Sequence, residues 1–388
     1  MNVPLLDLKL QYQTIKKEVE PKLLEIAESQ MLILGKEVAQ LEKDLAEYCG
    51  ASYAVGVSSG TDALLIALMV LEIKAGDEVI LPTYSFFSTA GVVARVGATP
   101  VFVDSDPVTF NIDPVAVKAA VTDNTKAIIP VHLYGQCADM KPICDLAEEL
   151  NLYIIEDCAQ AIGCQYSDGS PVGSMGTIGC YSFYPTKNLG AFGDGGIVVT
   201  KDKAIGEKLM RARNHGMEPK YYHDFVGGNF RLDAMQAAVL NIKFPHLDDW
   251  HQARRNNADL YTKLFVEAGL ADKEGALEFD NNNKVRLPKA VYKETGHKNY
   301  HIYNQYVIHV ENRDALRQHL ADNSIGSEIY YPVPFHKQGC FAYLNNDDSA
   351  FPVADKLAAE TIALPIFAEL EADQIKFVVD TIAEFYKK

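Results

Sequence analysis

Residues 181–196 read Tyr181-Ser182-Phe183-Tyr184-Pro185-Thr186-Lys187-Asn188-Leu189-Gly190-Ala191-Phe192-Gly193-Asp194-Gly195-Gly196. Pro185 blocks a regular helix here, and the glycines after Lys187 permit positive φ and close backbone approach. A lysine on such a turn is held in place. If it is also buried, its amine is pushed toward the neutral form, which can make a Schiff base. On these residues alone, a solvated lysine beside a glycine-rich loop remains the commoner reading. The chain upstream has to decide.

Upstream, short apolar runs alternate with helical patterns. Helical spacing runs through residues 14–48, interrupted at 32–35. Strands are expected at 53–57, 78–81, 99–103, 127–132 and 152–156, with helices at 62–71 and 140–149 between them. Apolar, β-branched strands alternating with helices imply a largely parallel sheet covered on both faces, through about residue 200. From 232 to 265 one long helical tract follows, with a bend expected at Pro245. A polar segment spans 272–300 and includes the asparagines 281–283. Beyond it a strand at 302–310, a helix at 313–323, a strand at 327–331 and a closing helix at 370–386 describe a smaller α+β unit. The expected division is a large domain over 15–245 and a small one over 246–388, with residues 1–14 packing on the latter.

The 388 residues are 48% hydrophobic, enough for a large core, and carry 36 basic against 52 acidic side chains, a net charge of −16. That balance argues against nucleic acid or an anionic membrane as the main partner. No apolar run approaches the ~20 residues of a membrane span, and the first residues carry no basic segment followed by an apolar core. The seven cysteines show no Cys-x-x-Cys spacing and read as reduced thiols. The expected location is the cytoplasm.

In open α/β sheets, ligands gather at the carboxyl ends of strands. Three such ends are chemically loaded. Ser58-Ser59-Gly60-Thr61-Asp62 is a strand-to-helix turn whose free N–H groups, hydroxyls and helix dipole could seat a phosphate, or simply cap the helix. Asp157 closes an apolar strand, where a carboxylate needs a cation or a donor. A protonated pyridine nitrogen is one such partner; a helix cap or a buried salt bridge is the alternative. Metal is the weakest reading of the Glu156–Asp157 pair, since no histidine lies nearby in sequence at ligand spacing and Gln160 is a poor ligand. The third loaded end is the lysine stretch itself. Phosphate seat, strand-end aspartate and then lysine is the order that a pyridoxal phosphate enzyme needs.

With these pieces in hand, the chain resembles the DegT/DnrJ/EryC1/StrS sugar aminotransferases, of the aspartate aminotransferase fold type. The matching stretches are VPLLDLKLQY near the start, SSGTDALLIAL (58–68), GDEVILPTYSFFSTA (76–90), GATPVFVDSDPVTFNID (97–113), PVHLYGQCADM (130–140), IIEDCAQAIG (154–163), GCYSFYPTKNLGAFGDGG (179–196), GGNFRLDAMQAA (227–238) and YYPVPFHKQ (330–338). The resemblance covers essentially the whole chain. It implies an α/β fold with a mainly parallel mixed sheet and a smaller C-terminal α+β domain, assembled as a homodimer with shared active sites.

The resemblance further implies that Lys187 carries pyridoxal 5′-phosphate as a Schiff base and that Asp157 partners the pyridine nitrogen. Gln160 would lie by the ring hydroxyl, while Gly60, Thr61 and Ser182 hold the phosphate. Phe86 would stack on the cofactor, with Phe87 the competing ring, and Asn229 would reach the partner's phosphate. Tyr330, Tyr331 and His336 fall where the family brings residues near the sugar nucleotide; packing of a proline-rich loop on the core is the other reading. His132 and Tyr134 could line the same cleft. The reaction implied is transfer of an amino group, with glutamate as donor, to a 3-keto or 4-keto sugar linked to dTDP or UDP. The rivals are a dehydratase of the same superfamily, which carries histidine where Lys187 stands, and a non-catalytic sugar-nucleotide sensor. One departure is visible. The branch acting at C3 commonly shows His-x-Tyr-His where this chain has His301-Ile302-Tyr303-Asn304.

Overall fold

The computed structural model describes residues 1–272 and 283–387, so Asn281 and Asn282 of the asparagine cluster lie outside the described residues. Seven strands make the larger sheet: β1 (Tyr53–Val57), β2 (Glu78–Pro82), β3 (Thr99–Val103), β4 (Thr125–Ile128), β5 (Tyr153–Asp157), β6 (Ile178–Ser182) and β7 (Gly196–Thr200). Their order is β1-β7-β6-β5-β4-β2-β3. The four pairs from β3 to β6 run parallel, while β6–β7 and β1–β7 are antiparallel. Near-continuous Val/Ile/Leu runs suit these strands because helices cover both faces.

The helices of this part are α1 (Leu8–Ser29), α2 (Lys36–Tyr48), α3 (Gly60–Val70), α4 (Ser88–Arg95), α5 (Pro114–Ala119), α6 (Met140–Leu150), α7 (Lys203–Ala212) and α8 (Ala234–Lys243). On one face α3, α4 and α7 bury Leu64, Leu68, Val92 and Leu209. On the other, α2, α6 and α8 bury Leu41, Ile143 and Leu240. A third core forms where α9 (Leu247–Glu267), α10 (Arg313–Asp322) and α12 (Ala372–Lys387) pack on a small antiparallel sheet. That sheet has the order β10-β9-β8, with β8 at Val285–Arg286, β9 at Tyr306–Val310 and β10 at Thr361–Leu364. α11 (Pro352–Glu360) leads into β10. Val3 belongs to this third core, its N–H donating to the Ser324 carbonyl at 3.0 Å. The long helical tract is interrupted at Pro245, which sits in the 3₁₀ turn Phe244–His246 between α8 and α9.

Two expected strands change form. Residues 327–331 keep only one bridge, Glu328 with Ala363, because the Tyr330 carbonyl and the Tyr331 N–H are taken by Tyr84 and Tyr134. The strand expected from 302 starts at Tyr306. Ile302 and Asn304 instead donate their N–H groups to the carbonyls of Gly135 and Tyr134, each at 2.9 Å.

Side chains alternate across a strand, so Glu156 and Asp157 face opposite ways. Glu156 is fully buried. Its Oε1 accepts from Met175 N (2.8 Å) and Gly176 N (2.5 Å), and its Oε2 from Gly173 N (2.7 Å). His132 Nδ1 accepts from Ala138 N at 3.0 Å, so His132 Nε2 carries the proton that it donates to Glu156 Oε2 at 2.9 Å. A buried carboxylate is tolerated because donors surround it. His132, Glu156 and Cys158 bring their possible ligand atoms within 4.8 Å of one another, a proximity that their sequence spacing hides. The two carboxylate oxygens are nonetheless engaged in holding the 173–176 loop, and the two ring nitrogens in contacts with Glu156 and Ala138. Glu156→Gln keeps the shape but turns an NH₂ toward backbone donors, leaving at least one unsatisfied. The expected loss of stability is about 1–3 kcal/mol, read by denaturant unfolding. A variant as stable as the parent would show that the carboxylate does not hold this loop.

Candidate active site

β1, β5 and β6 point the same way, so Ser58–Gly60, Asp157 and Ser182 arrive at one edge of the sheet. There Ser59 caps α3, its Oγ accepting from Asp62 N at 3.0 Å, and Ser58 Oγ donates to Asp62 Oδ2 at 2.6 Å. The cap reading therefore holds for Ser59. It leaves the first-turn N–H groups of Gly60 and Thr61 without acceptors inside the helix. Thr61 Oγ1 and Ser88 Oγ lie 2.7 Å apart, and Ser182 Oγ accepts from Tyr184 N at 3.2 Å. A Cβ on residue 60 would stand 2.6 Å from Ser182 Cβ, so only glycine lets the helix start this close to the end of β6. The result is a cradle of N–H groups and hydroxyls at a helix N-terminus, suited to an anion.

Asp157 is buried at the end of β5. Thr89 Oγ1 donates to its Oδ2 at 2.8 Å and Ala159 N to its Oδ1 at 3.2 Å. Burial raises its pKa, while the Thr89 and Ala159 hydrogen bonds and the charge of Lys187 pull it back. Lys187 lies on the β6–β7 loop, whose turn is closed by Lys187 N donating to Tyr184 O at 2.8 Å. Gly190 makes this loop possible, since a Cβ there would lie 2.3 Å from the Pro185 carbonyl oxygen. Burial pushes the Lys187 amine down to about 8, opposed by the Asp157 carboxylate. Lys187 Nζ has no hydrogen bond or ion pair among the described residues.

Gln160 bridges two further residues: its Oε1 accepts from Tyr134 N (2.7 Å) and its Nε2 donates to the Tyr331 hydroxyl (3.0 Å). The Tyr331 ring sits 6.0 Å from Phe86 and 6.3 Å from Tyr84. The two candidate rings separate here. Phe86 stands exposed beside Tyr331, whereas Phe87 stacks on Phe341 at 5.7 Å. Tyr330 contributes its carbonyl, which accepts from Tyr84 (2.6 Å) and from Tyr134. His336 is not brought into this group. It is buried with Nδ1 on Thr83 Oγ1 (2.9 Å), its ring on Phe351 (4.4 Å) and Nε2 3.2 Å from Asp355. His132 likewise belongs to the Glu156 network. Asn229 is exposed, on a strip beside the cradle where Ser58 N donates to Phe230 O at 3.0 Å.

Sequence reasoning did not single out Thr89, Tyr84, Asn188 or Lys243. Thr89 lay within a quoted motif, but its partner is 68 residues away. Asn188 Nδ2 donates to Ile302 O at 3.0 Å, and Lys243 Nζ to Gly190 O at 2.6 Å. No local spacing announces such contacts.

The model of the DegT/DnrJ/EryC1/StrS aminotransferase family matches residues 13–383. The chain is 49% identical over 387 residues to a protein of Geobacillus stearothermophilus called pleiotropic regulatory protein, covering 100% of this chain and 99% of that one. It is 43% identical over 380 residues to the UDP-N-acetyl-3-dehydro-α-D-glucosamine 3-aminotransferase of Acidithiobacillus ferrooxidans, covering 98% and 97%. Among solved structures, DesV of S. venezuelae, in complex with a ketimine intermediate, superposes with a TM-score of 0.91 at 38% identity, covering 100% and 99%. The family is that of pyridoxal phosphate-dependent transferases, and the mixed, mostly parallel sheet with a small antiparallel companion is its fold. This chain belongs to the DegT/DnrJ/EryC1/StrS aminotransferase family.

Proposed function

We propose that this protein transfers an amino group from an amino acid, L-glutamate, to the 3-keto group of a UDP- or dTDP-linked sugar, with pyridoxal 5′-phosphate as cofactor. The observation that carries the reading is the desolvated Lys187 amine, without a hydrogen-bond partner among the described residues, with Asp157 as the charge acting on it and an anion cradle at the same sheet edge. The residues fit the cofactor: Gly60, Thr61 and Ser182 for its phosphate, Asp157 for its ring nitrogen, Gln160 for its ring hydroxyl and Phe86 for its face. The 3-keto position is supported by the 3-aminotransferase of A. ferrooxidans. We assign residues 15–245 to the cofactor domain and 246–388 to the small domain, with 1–14 packed on the latter. The site is cytoplasmic, where the seven unpaired cysteines stay reduced.

Bound there, pyridoxal phosphate supplies the electron sink that removal of a proton beside nitrogen requires. Asp157, hydrogen-bonded by Thr89 and Ala159, would be the residue to face the ring nitrogen and to favour its protonated form. Lys187 Nζ, with a pKa of about 8, is neutral in a useful fraction near neutrality. It takes the proton from Cα of the amino donor and, in the second half, returns one to the sugar carbon that receives nitrogen. Tyr331, whose hydroxyl accepts from Gln160 Nε2, is suited to line the sugar side, with the Tyr330 carbonyl held by Tyr84 and Tyr134 behind it.

Tyr184, Phe192, Tyr221, Tyr222 and Val226 are exposed apolar side chains on the loops that carry Lys187 and flank Asn229. Apolar side chains exposed in this way suit burial against a second copy of the chain, and we infer a homodimer in which Asn229 completes the partner's phosphate cradle. The name of the G. stearothermophilus relative favours a second reading, a regulatory sensor that binds without turnover.

A panel of UDP- and dTDP-linked 3-keto and 4-keto sugars with glutamate, followed by product analysis, separates the two readings. Borohydride treatment should fix pyridoxal phosphate on Lys187. Binding without turnover of any pair would favour the sensor.

Lys187→Ala is expected to abolish transamination while leaving the fold intact; activity within about tenfold of the parent would refute the assignment. Asp157→Asn should bind the cofactor yet slow turnover roughly a hundredfold or more. Unchanged kcat with weaker cofactor binding would make Asp157 structural. In the apoprotein, condensation of a small aldehyde with Lys187 should rise with pH around a midpoint near 8. Asp157→Asn should lower that midpoint, because the carboxylate favours the protonated amine. A midpoint at the usual lysine value would remove the desolvation argument.

Mixing inactive Lys187→Ala subunits with impaired Asn229→Asp subunits should restore activity, since one site of the heterodimer collects both lesions and the other neither. The aspartate opposes the phosphate charge at close range. Verified heterodimers without recovered activity would mean that each site is built within one chain.

A further inference from the structure

Asn188, the residue after Lys187, is held at both ends of its side chain. It is buried, its Nδ2 donates to Ile302 O at 3.0 Å, and its Oδ1 accepts from Asn304 Nδ2 at 2.8 Å. The 302–304 segment is itself fixed. Ile302 N and Asn304 N donate to the carbonyls of Gly135 and Tyr134 at 2.9 Å, and the buried Arg254 donates to the carbonyls of Tyr303 (3.0 Å) and Ile366 (2.9 Å). Tyr134 in turn donates its N–H to Gln160. The small-sheet side of the molecule therefore reaches through one amide pair to the residue beside Lys187.

Asn304 is itself lopsided. Its Nδ2 is on Asn188, while its Oδ1 is buried with no hydrogen-bond partner among the described residues. A buried unpaired oxygen is unfavourable, so the part of this side chain in use is its N–H donor. Asn304 is also the position at which the sequence departs from the His-x-Tyr-His pattern, and histidine too can present a ring N–H. The far end of the loop has its own anchor in Lys243, on Gly190 O at 2.6 Å. Lys187 immediately precedes the first of these anchors, and its side chain has no hydrogen-bond partner among the described residues.

We propose that Asn304 is a positioning residue for Lys187, acting through the Asn188 amide to fix the direction in which the lysine leaves the loop. The inference rests on the reading of Lys187 as the cofactor-bearing amine. A reacting group displaced by a fraction of an ångström to an ångström loses rate steeply, even when nothing at the chemistry itself has changed.

Asn304→Asp tests this, because it keeps the shape and removes the donor; Asn304→His restores a donor. In the holoenzyme, Asn304→Asp is expected to lower kcat about tenfold, with KM for the amino donor within about threefold. It should also move the pH at which the bound cofactor's absorbance changes by about half a unit or more. Asn304→His should lie nearer the parent in both. In the apoprotein, amide hydrogen exchange over residues 184–192 should be faster in Asn304→Asp than in the parent. Unchanged exchange there together with an unchanged absorbance midpoint overturns the proposal, whatever the unfolding temperature does. If Asn304→Asp does not fold, Asn304→Ala and Asn188→Ala carry the same comparison with the same two readouts. Borohydride labelling of the parent checks the Lys187 reading separately, and the exchange measurement decides the anchoring whichever way that labelling falls.

Discussion

Two groups that desolvation drives toward neutrality, the buried Asp157 and the half-buried Lys187, stand at the carboxyl edge of the sheet. Desolvation raises the acid and lowers the base, and each charge opposes the other's shift. They form no direct ion pair among the described residues, so neither fully compensates the other. Such a pair is kept in place only if its surroundings fix it. Much of the nearby structure does this. Thr89 and Ala159 hold the carboxylate, and Asn188 and Lys243 hold the loop of the amine.

How legible this was depends on the range of the contacts. The α/β class, the succession of strands and helices along the chain and the three loaded strand ends follow from local patterns: apolar runs, a serine-capped turn, a proline before a lysine and glycines after it. The resemblance then named the roles that local patterns left open. The Glu156–Asp157 pair shows where local reading stops. Side by side in sequence, the two carboxylates look like one site. The pleat sends one to the His132 network and the other to Thr89 and the anion cradle's edge. The expected strands at 302–310 and 327–331 failed in part for a related reason. Their alternating apolar residues are real, but the backbone groups of 302–304 and 330–331 are claimed by Tyr84, Tyr134 and Gly135 instead of a ladder.

Polar partners across long separations were the least legible part. Thr89 and Asp157 are 68 residues apart, and Asn188 and Asn304 are 116 apart. The resemblance marked His336 as a residue near the sugar nucleotide. The fold spends it on Thr83, Phe351 and Asp355, and brings the neighbouring Tyr331 to Gln160. Residue type at a suggestive position was a weaker guide than which backbone donors the residue could reach.

Lys243 makes the same point about electrostatics. Its amine is also pushed down to about 8 by burial, the same value as that of Lys187. A depressed pKa alone would mark both lysines as chemical. Lys243 Nζ donates to Gly190 O at 2.6 Å and lies 5.2 Å from the centre of the Phe192 ring, so its charge and its donors are engaged in holding the loop. Lys187 is pushed down as far, has no hydrogen-bond partner among the described residues and has a buried carboxylate acting on it. Desolvation prepares an amine for chemistry only where packing has left it something to reach for, and here a second desolvated lysine helps to hold the first in that position.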